Sequence, residues 1–359
     1  MTERRPTLAL DLVWKAGRQP HKSLEPELFA LLDAIKSTGK LTHATERVGM
    51  PYRQAWGLIT EWSERIGQPL VRKQQGRGTR LTLLGEKLLW LREHINARLS
   101  PHLESAACEL ERELSAFLQA SNPVLTVFAS HDLVMAELRE LLRIRPGPKL
   151  DLRFVASLDG VVALCKNRCD LAGLHIPQGS LGREILNRYE PWLKPRAQRL
   201  IHLVRRTQGL FVSPGNPLGL KNLTDVVIAG ARFINRQRGS GTHLALERLL
   251  QEQGIDRGEI NGYYSEEFTH LGVAAAIASG VADVGLGIEA AARRLKLDFV
   301  PLFIENYYLL GKRETIDRVE VQDIVGILKS PEFAGLVSGI PGYDASRTGE
   351  VASVGDVIG

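Results

Sequence analysis

Cysteine is scarce: Cys108, Cys165 and Cys169 are the only three in 359 residues. An odd number cannot pair off within the chain, and Cys165 and Cys169 have no nearby histidine to complete a metal set. They read as small buried residues of a reduced protein. No basic start followed by an apolar stretch opens the sequence, so no signal peptide is expected and the protein is expected to be cytoplasmic. Residues 271–292 have the length of a membrane span, but Asp283, Glu289 and several glycines argue against one. The motifs of common catalysts are missing too. There is no Gly-x-Ser-x-Gly elbow, no Lys-Ser/Thr after a glycine-rich loop, and no third glycine at dinucleotide spacing near Gly285. Glu266 and Glu267 with His270 mimic metal spacing, but a solvated helix start explains them more simply. Neither catalysis nor a cofactor or metal is expected.

What is present is ordinary soluble material, 44% hydrophobic and 24% charged. The length suggests two or three domains. Charge is uneven: residues 1–100 hold 17 Lys and Arg against 10 Asp and Glu, a surplus of seven, while the whole chain is +5. The remainder is therefore slightly acidic, and a polyanionic partner is expected for the first domain alone.

Within that domain, residues 8–14 alternate and predict a short strand. A helix over 25–37 puts Leu28, Leu31, Leu32 and Ile35 inward and stops at Gly39. A shorter helix covers 42–48. A third opens at Pro51 and runs to Ile66, with Ala55, Ile59, Trp62 and Ile66 on one face. This is helix-turn-helix spacing, which any small helical bundle can share. The third helix would offer Tyr52, Arg53, Gln54 and Trp56 to the major groove of double-stranded DNA. Short strands at 70–73 and 80–83 bracket a hairpin tip at Gly76 and Gly78. Arg72, Lys73, Arg77 and Arg80 surround it, with no acid before Gly85, giving a basic wing suited to phosphate or minor-groove contact.

Ile66-Gly-Gln-Pro-Leu70 and Arg80-Leu-Thr-Leu-Leu-Gly-Glu-Lys-Leu-Leu89 resemble the winged helix-turn-helix of LysR-type regulators. Gly49-Met-Pro-Tyr-Arg-Gln-Ala-Trp56 is similar to the molybdate-responsive regulators. The resemblance covers about residues 25–118. Trp56 stands where LysR-type proteins usually carry Ser, so the larger family's base contacts do not transfer. Beyond the wing, Leu84, Leu88, Leu91, Ile95, Leu99, Leu103, Ala106, Leu110, Leu114 and Phe117 recur at three and four within 83–118. One apolar stripe this long needs a partner. Packing on the chain's own C-terminal domain would supply one; the resemblance implies a linker helix forming a homodimer or homotetramer. Pro101 predicts a kink or a break within it.

From Asn122 the pattern turns to α/β. Strands at 124–128, 150–155 and 170–175 alternate with helices, predicting a mostly parallel sheet with a ligand site at strand carboxyl ends. Strands near 200–204 and 299–304 flank a central block, giving two lobes joined by a double hinge. This resembles the type II periplasmic-binding-protein fold that LysR-type regulators use as an effector domain. The central block contains Phe233-Ile-Asn-Arg-Gln-Arg-Gly-Ser-Gly-Thr242, in which converging N–H groups at a helix start stand beside two arginines. Ser130, His131, Ser157, Arg236, Arg238, Gly239, Ser240, Gly241 and Thr242 are the candidate ligand residues. His131, His175 and His270 lie at element boundaries and suit a structural role as well as a ligand one. Tyr307 and Tyr308 could close the cleft or pack in the core.

The expected organisation is a winged helix-turn-helix at 1–82, a linker and dimerisation helix at 83–121, an effector domain at 122–345 and a tail at 346–359. Lobe I takes 122–205 and 300–345, lobe II 206–299. The expected function is a DNA-binding transcription regulator sensing a small anion. The resemblance suggests molybdate, tungstate or a small carboxylate such as formate, with molybdenum- or tungsten-enzyme genes as targets. The alternative is a transport receptor or cofactor-handling enzyme with an accessory DNA-binding-like domain.

Overall fold

The computed structural model describes residues 10–16, 22–74, 78–117, 124–145 and 147–358. Two compact units divide the chain, Asp11–Asn96 and the residues from Ala97 onward. The boundary falls inside the long helix rather than at residue 83, because Leu84, Leu88 and Leu89 belong to the N-terminal core.

In the first unit, β1 (Lys15–Ala16) pairs with β2 (Lys22–Ser23), followed by α1 (Pro26–Thr38), α2 (Leu41–Val48) and α3 (Tyr52–Ile66). The strand expected at 8–14 is not formed over its described residues 10–14. Trp14 there packs edge-on against Phe29, and its carbonyl accepts from Leu24 N, which fixes the segment without a ladder. Leu28, Leu31, Leu32, Ile35, Ala55, Ile59 and Trp62 form the core. Trp62 Nε1 donates to Glu25 Oε2 at 2.7 Å, satisfying the indole N–H of a fully buried ring. The wing is the antiparallel pair β3 (Val71–Gln74) and β4 (Gly78–Leu81). Gly78 has φ +90°, and a Cβ there would lie 2.2 Å from the Gly39 carbonyl oxygen, which also accepts from Thr79 N. Only glycine lets the wing meet the α1–α2 turn so closely.

Helix α4 (Leu83–Phe117) runs unbroken through position 101. Pro101 therefore does not break the helix; residue 118 lies outside the described residues. Within the second unit, Cys108 of α4 is buried in the same core as Leu152 and Leu138. Leu99 and Leu110 are left exposed.

That unit is a two-lobed α/β domain, as expected. Its strands are β5 (Val124–Ala129), β6 (Lys149–Phe154), β7 (Leu171–Pro177), β8 (Gln198–Val212), β9 (Phe233–Arg236), β10 (Glu266–Glu267), β11 (Val284–Ile288), β12 (Asp298–Lys312), β13 (Tyr343–Asp344) and β14 (Val351–Ser353). The helices that position the site are α5 (Leu133–Ile144), α6 (Ser157–Cys165), α7 (Ser180–Tyr189), α8 (Leu223–Ile228), α9 (Gly241–Glu252) and α10 (His270–Ala278). The sheet order is β10-β9-β11-β8-β12-β7-β5-β6. Strands β8 and β12 are 15 residues each and pair antiparallel from Asp298↔Val212 to Lys312↔Gln198. They cross both lobes: β5, β6 and β7 complete lobe I, and β9, β10 and β11 complete lobe II. Register shifts at Pro301/Phe303 and Tyr307/Tyr308 sit on either side of Glu305, where the ladder must bend between lobes. Residues 346–359 are not simply a tail. Strand β14 adds to β8 at Arg199–Ile201, because Val354 buries itself in the lobe I core.

Replacing Gly78 with Ala forces the Gly39 carbonyl aside at a left-handed backbone. We expect the N-terminal unit to lose about 1–3 kcal/mol, seen as an earlier denaturation transition in tryptophan fluorescence of the full chain. An unchanged transition would contradict the described wing anchor.

Candidate anion site between the lobes

Arg206 lies on β8 opposite Glu305 of β12, at the crossing between lobes. Its Nε donates to Glu305 Oε1 at 2.6 Å, Nη1 donates to Asp132 Oδ2, and Nη2 donates to His175 Nδ1 at 3.1 Å. Burial opposes its charge, but Glu305 and Asp132 outweigh that and hold the guanidinium well above its ordinary range. A guanidinium can only donate, so His175 accepts at Nδ1 and carries its proton on Nε2. That Nε2 has no partner among the described residues.

Two further contacts carry the network into both lobes. Asp132 caps α5 by accepting from Val134 N at 2.8 Å, and it accepts the Tyr343 hydroxyl at 2.7 Å. Gln208 Nε2 donates to Glu305 Oε1 at 2.6 Å and to Thr242 Oγ1 of α9 at 3.0 Å. One chain of hydrogen bonds therefore runs from the start of α5 in lobe I to the start of α9 in lobe II.

Arg236 closes β9 and is equally buried, at 2% exposure. Its Nε and Nη1 meet no partner among the described residues. Burial foremost, then the charge of nearby Arg206, pushes its pKa down to about 9, with Glu305 and Glu267 acting in the opposite sense. It stays charged at neutral pH, and a buried charge without a partner is costly. Behind it the chain turns through Gly239, at φ +77°, into α9, where Ser240 caps the helix by accepting from His243 N at 3.2 Å. A Cβ on Gly239 would lie 3.5 Å from the Ala156 Cβ, and one on Gly241 would lie 3.1 Å from the His175 Cβ. The lobe II loop thus rests directly on lobe I.

Three histidines surround the arginines. Burial first, then neighbouring arginine charge, pushes His175 and His270 well below the ordinary histidine range. Burial takes His131 down to about 4 even though Asp132 opposes it. All three are neutral at pH 7. His270 feels Arg236, Arg206, His175 and His131 together, which places these five groups in one cluster.

Of the candidate residues, the structure gathers His131, Arg236, Gly239, Ser240, Gly241 and Thr242 where the lobes meet. Ser130 and Ser157 bond each other at 2.9 Å, at the end of β5 and the start of α6. Arg238 does not join them. It projects from the turn with its side chain 72% exposed, 3.7 Å from Glu266. Glu266 and Glu267 are not a helix start either: they form β10, with Glu267 buried and paired to Arg98 at 3.2 Å, and Thr269 caps α10. Sequence reading missed Asp132, Arg206 and Gln208 and gave Glu305 no role. Their signal is polar residues interrupting apolar strand runs, as in Ile201-His-Leu-Val-Arg-Arg-Thr-Gln208.

In the first unit, Tyr52, Arg53 and Gln54 are exposed at the start of α3. Arg72, Lys73 and Arg80 are exposed on the wing, and Lys73 Nζ sits 4.3 Å over the Trp56 ring. Arg77 and Gly76 lie outside the described residues.

Residues 138–329 match the family described as the PBP superfamily domain. The chain belongs to that family. The YvgK protein of Bacillus subtilis (strain 168) is 30% identical over 201 residues, which are 55% of this chain and 64% of that relative. The chain thus spans less than two thirds of that relative's length. A protein from the 5′ region of a 2Fe-2S ferredoxin gene in Clostridium pasteurianum is 35% identical over 111 residues, 31% of this chain and 98% of the relative. Among solved structures, a tungstate ABC transporter from Geobacter sulfurreducens aligns with TM-score 0.46 and 14% identity, covering 60% of this chain and 98% of the other. Within this PBP superfamily member, no described helix is long and apolar enough to cross a membrane. Among the described residues no group of three or more His, Cys, Asp or Glu could hold a metal ion.

Two predictions follow from these charges. The three histidines are neutral when folded and titrate near 6.5 when unfolded, so the unfolded chain binds more protons below that point. Their contribution is complete above about pH 6.5 and is lost as pH falls toward His131's folded value of about 4. Denaturant midpoints should drop steadily across that window, and His270→Gln should make the drop shallower. A flat profile would contradict neutral burial. Arg236→Met should stabilise the ligand-free protein by about 1–3 kcal/mol, because it removes an unpaired buried charge. A loss of that size would mean Arg236 has a partner within the folded chain.

Proposed function

We propose that this chain is a DNA-binding transcription regulator whose two-lobed domain senses a small anion. Arg236 carries the anion reading: a fully buried guanidinium with two donors free, one turn from the α9 N-terminus. The proton on His175 Nε2 adds a third donor nearby. Molybdate, tungstate and small carboxylates such as formate are the candidate effectors, and molybdenum- or tungsten-enzyme genes, formate dehydrogenase among them, the candidate targets. Exposed Leu99 and Leu110 on α4 supply an apolar surface for a homodimer or homotetramer. An anion bridging both lobes stabilises the closed state in proportion to its preference for that state, and pairing through α4 passes this on to the spacing of recognition helices.

Arg53 at the start of α3 and the wing cations then divide DNA binding between them. Arg53→Ala should relax preference at particular base pairs by about 1–3 kcal/mol. Arg72→Ala with Arg80→Ala should weaken specific and random DNA alike, and make the salt dependence shallower by about one unit of slope per lost phosphate contact. The test is retention of the gene's own upstream DNA, at several salt concentrations, with and without each candidate anion. An unchanged salt slope would place the wing arginines away from DNA. Retention indifferent to every candidate anion would remove the sensor reading.

A further inference from the structure

The anion site is built from two arginines, but two carboxylates share its interior. Arg206 is bonded by both Asp132 and Glu305, and all three are at most 2% exposed. One guanidinium between two carboxylates leaves a surplus negative charge at the hinge. Among the described residues Arg236 is the only other buried Arg or Lys, and its Nε and Nη1 bond neither carboxylate, so it is the one buried cation left for a ligand. Glu267 adds nothing to this balance, being paired with Arg98. His131, His175 and His270 add no positive charge, since burial keeps them neutral. Glu305 also keeps Oε2 without a partner among the described residues. That oxygen can only accept a hydrogen bond while ionised, and it repels ligand oxygens that carry no proton.

From this arrangement we infer that the cleft selects a singly charged small anion, such as a monocarboxylate, against doubly charged tetrahedral oxyanions such as molybdate, tungstate and sulfate. The inference rests on the cleft being the anion site and narrows its ligand class. A single negative charge is met by Arg236, whose two free donors and the His175 Nε2–H supply hydrogen bonds. A second charge has no further buried Arg or Lys to meet it among the described residues; Arg294, whose charge reaches His131, is exposed and screened by solvent. That second charge would stand in a low-dielectric interior beside a carboxylate already in excess, where like charges act strongly. Glu305 is thus a specificity-determining residue whose negative charge filters ligands, alongside its role as partner of Arg206.

Glu305→Gln isolates that charge. The glutamine keeps an oxygen for Arg206 Nε and Gln208 Nε2, and turns the lone Oε2 position into an amide donor. The full-length chain is titrated calorimetrically at constant ionic strength with formate, acetate and nitrate, and with sulfate, molybdate and tungstate. Wild type is expected to bind at least one singly charged anion, at least tenfold more tightly than any doubly charged one. In Glu305→Gln that preference should shrink at least tenfold. Asp132→Asn removes the other carboxylate charge while retaining a residue suited to cap α5; it gives the same readout if the first variant does not fold, which thermal melting reports. A wild-type preference for a doubly charged anion, or a preference unchanged in the folded variants, overturns the inference and leaves the anion cleft standing. Binding that survives intact in Arg236→Met, or no binding of any anion in the panel, overturns the cleft reading and the inference with it.

Discussion

Everything in the C-terminal domain turns on one buried guanidinium. Arg206 bonds Glu305 on the neighbouring strand, Asp132 at the head of α5 and His175 on β7, three elements that are far apart in sequence. Taking three charges out of water is expensive, and well-packed apolar side chains of similar volume often stabilise a fold as well or better. What apolar residues would not provide is the fixed placement seen here. Through Glu305 and Gln208 the same network holds Thr242 at the start of α9, so the two lobes share one set of hydrogen bonds. The position is set by β8 and β12, whose long antiparallel pairing carries Arg206 and Glu305 to the crossing as register partners.

Arg236 makes sense against this background. Each nitrogen of Arg206 donates to a protein acceptor, whereas nearby Arg236 has Nε and Nη1 without a partner among the described residues. Two arginines of equal burial thus differ: one is bonded to three protein side chains, and the other keeps two nitrogens without a partner among the described residues. The histidines between them stay neutral because burial and the arginines both oppose their protonation. They can position a ligand by hydrogen bonds while adding no charge.

Much of this was legible from sequence, and the failures have physical causes. Glycine-rich punctuation and apolar spacing located α3, the wing and the Arg236–Thr242 loop, since those signals are local. In sequence Arg238 stands beside Arg236, and two residues of separation cannot reveal which side chain a turn sends outward. The crossing strands look short in sequence because Arg205, Arg206 and Gln208 interrupt the apolar run of β8, and Glu305 and Asn306 that of β12. Those interruptions are the hinge itself. Nothing local announces that Arg206 will meet a carboxylate 99 residues later and another 74 residues earlier. The continuous α4 through position 101 shows the opposite imbalance, a local breaker overridden by the helix around it.

The central claim is that an anion occupies the space in front of Arg236. A surface concavity of about 640 Å³ lies elsewhere, lined by Lys194, Lys312 and Arg313 together with Glu314 and Asp317, and it offers an anion another place to bind. The decisive measurement is a crystal structure of the full chain with the anion that binds it most tightly in solution. The account predicts that anion within hydrogen-bond distance of Arg236 Nε or Nη1, with Arg206 still bonded to Asp132 and Glu305. Density for the anion beside Lys194 and Arg313, with Arg236 bonded to the protein instead, would contradict it.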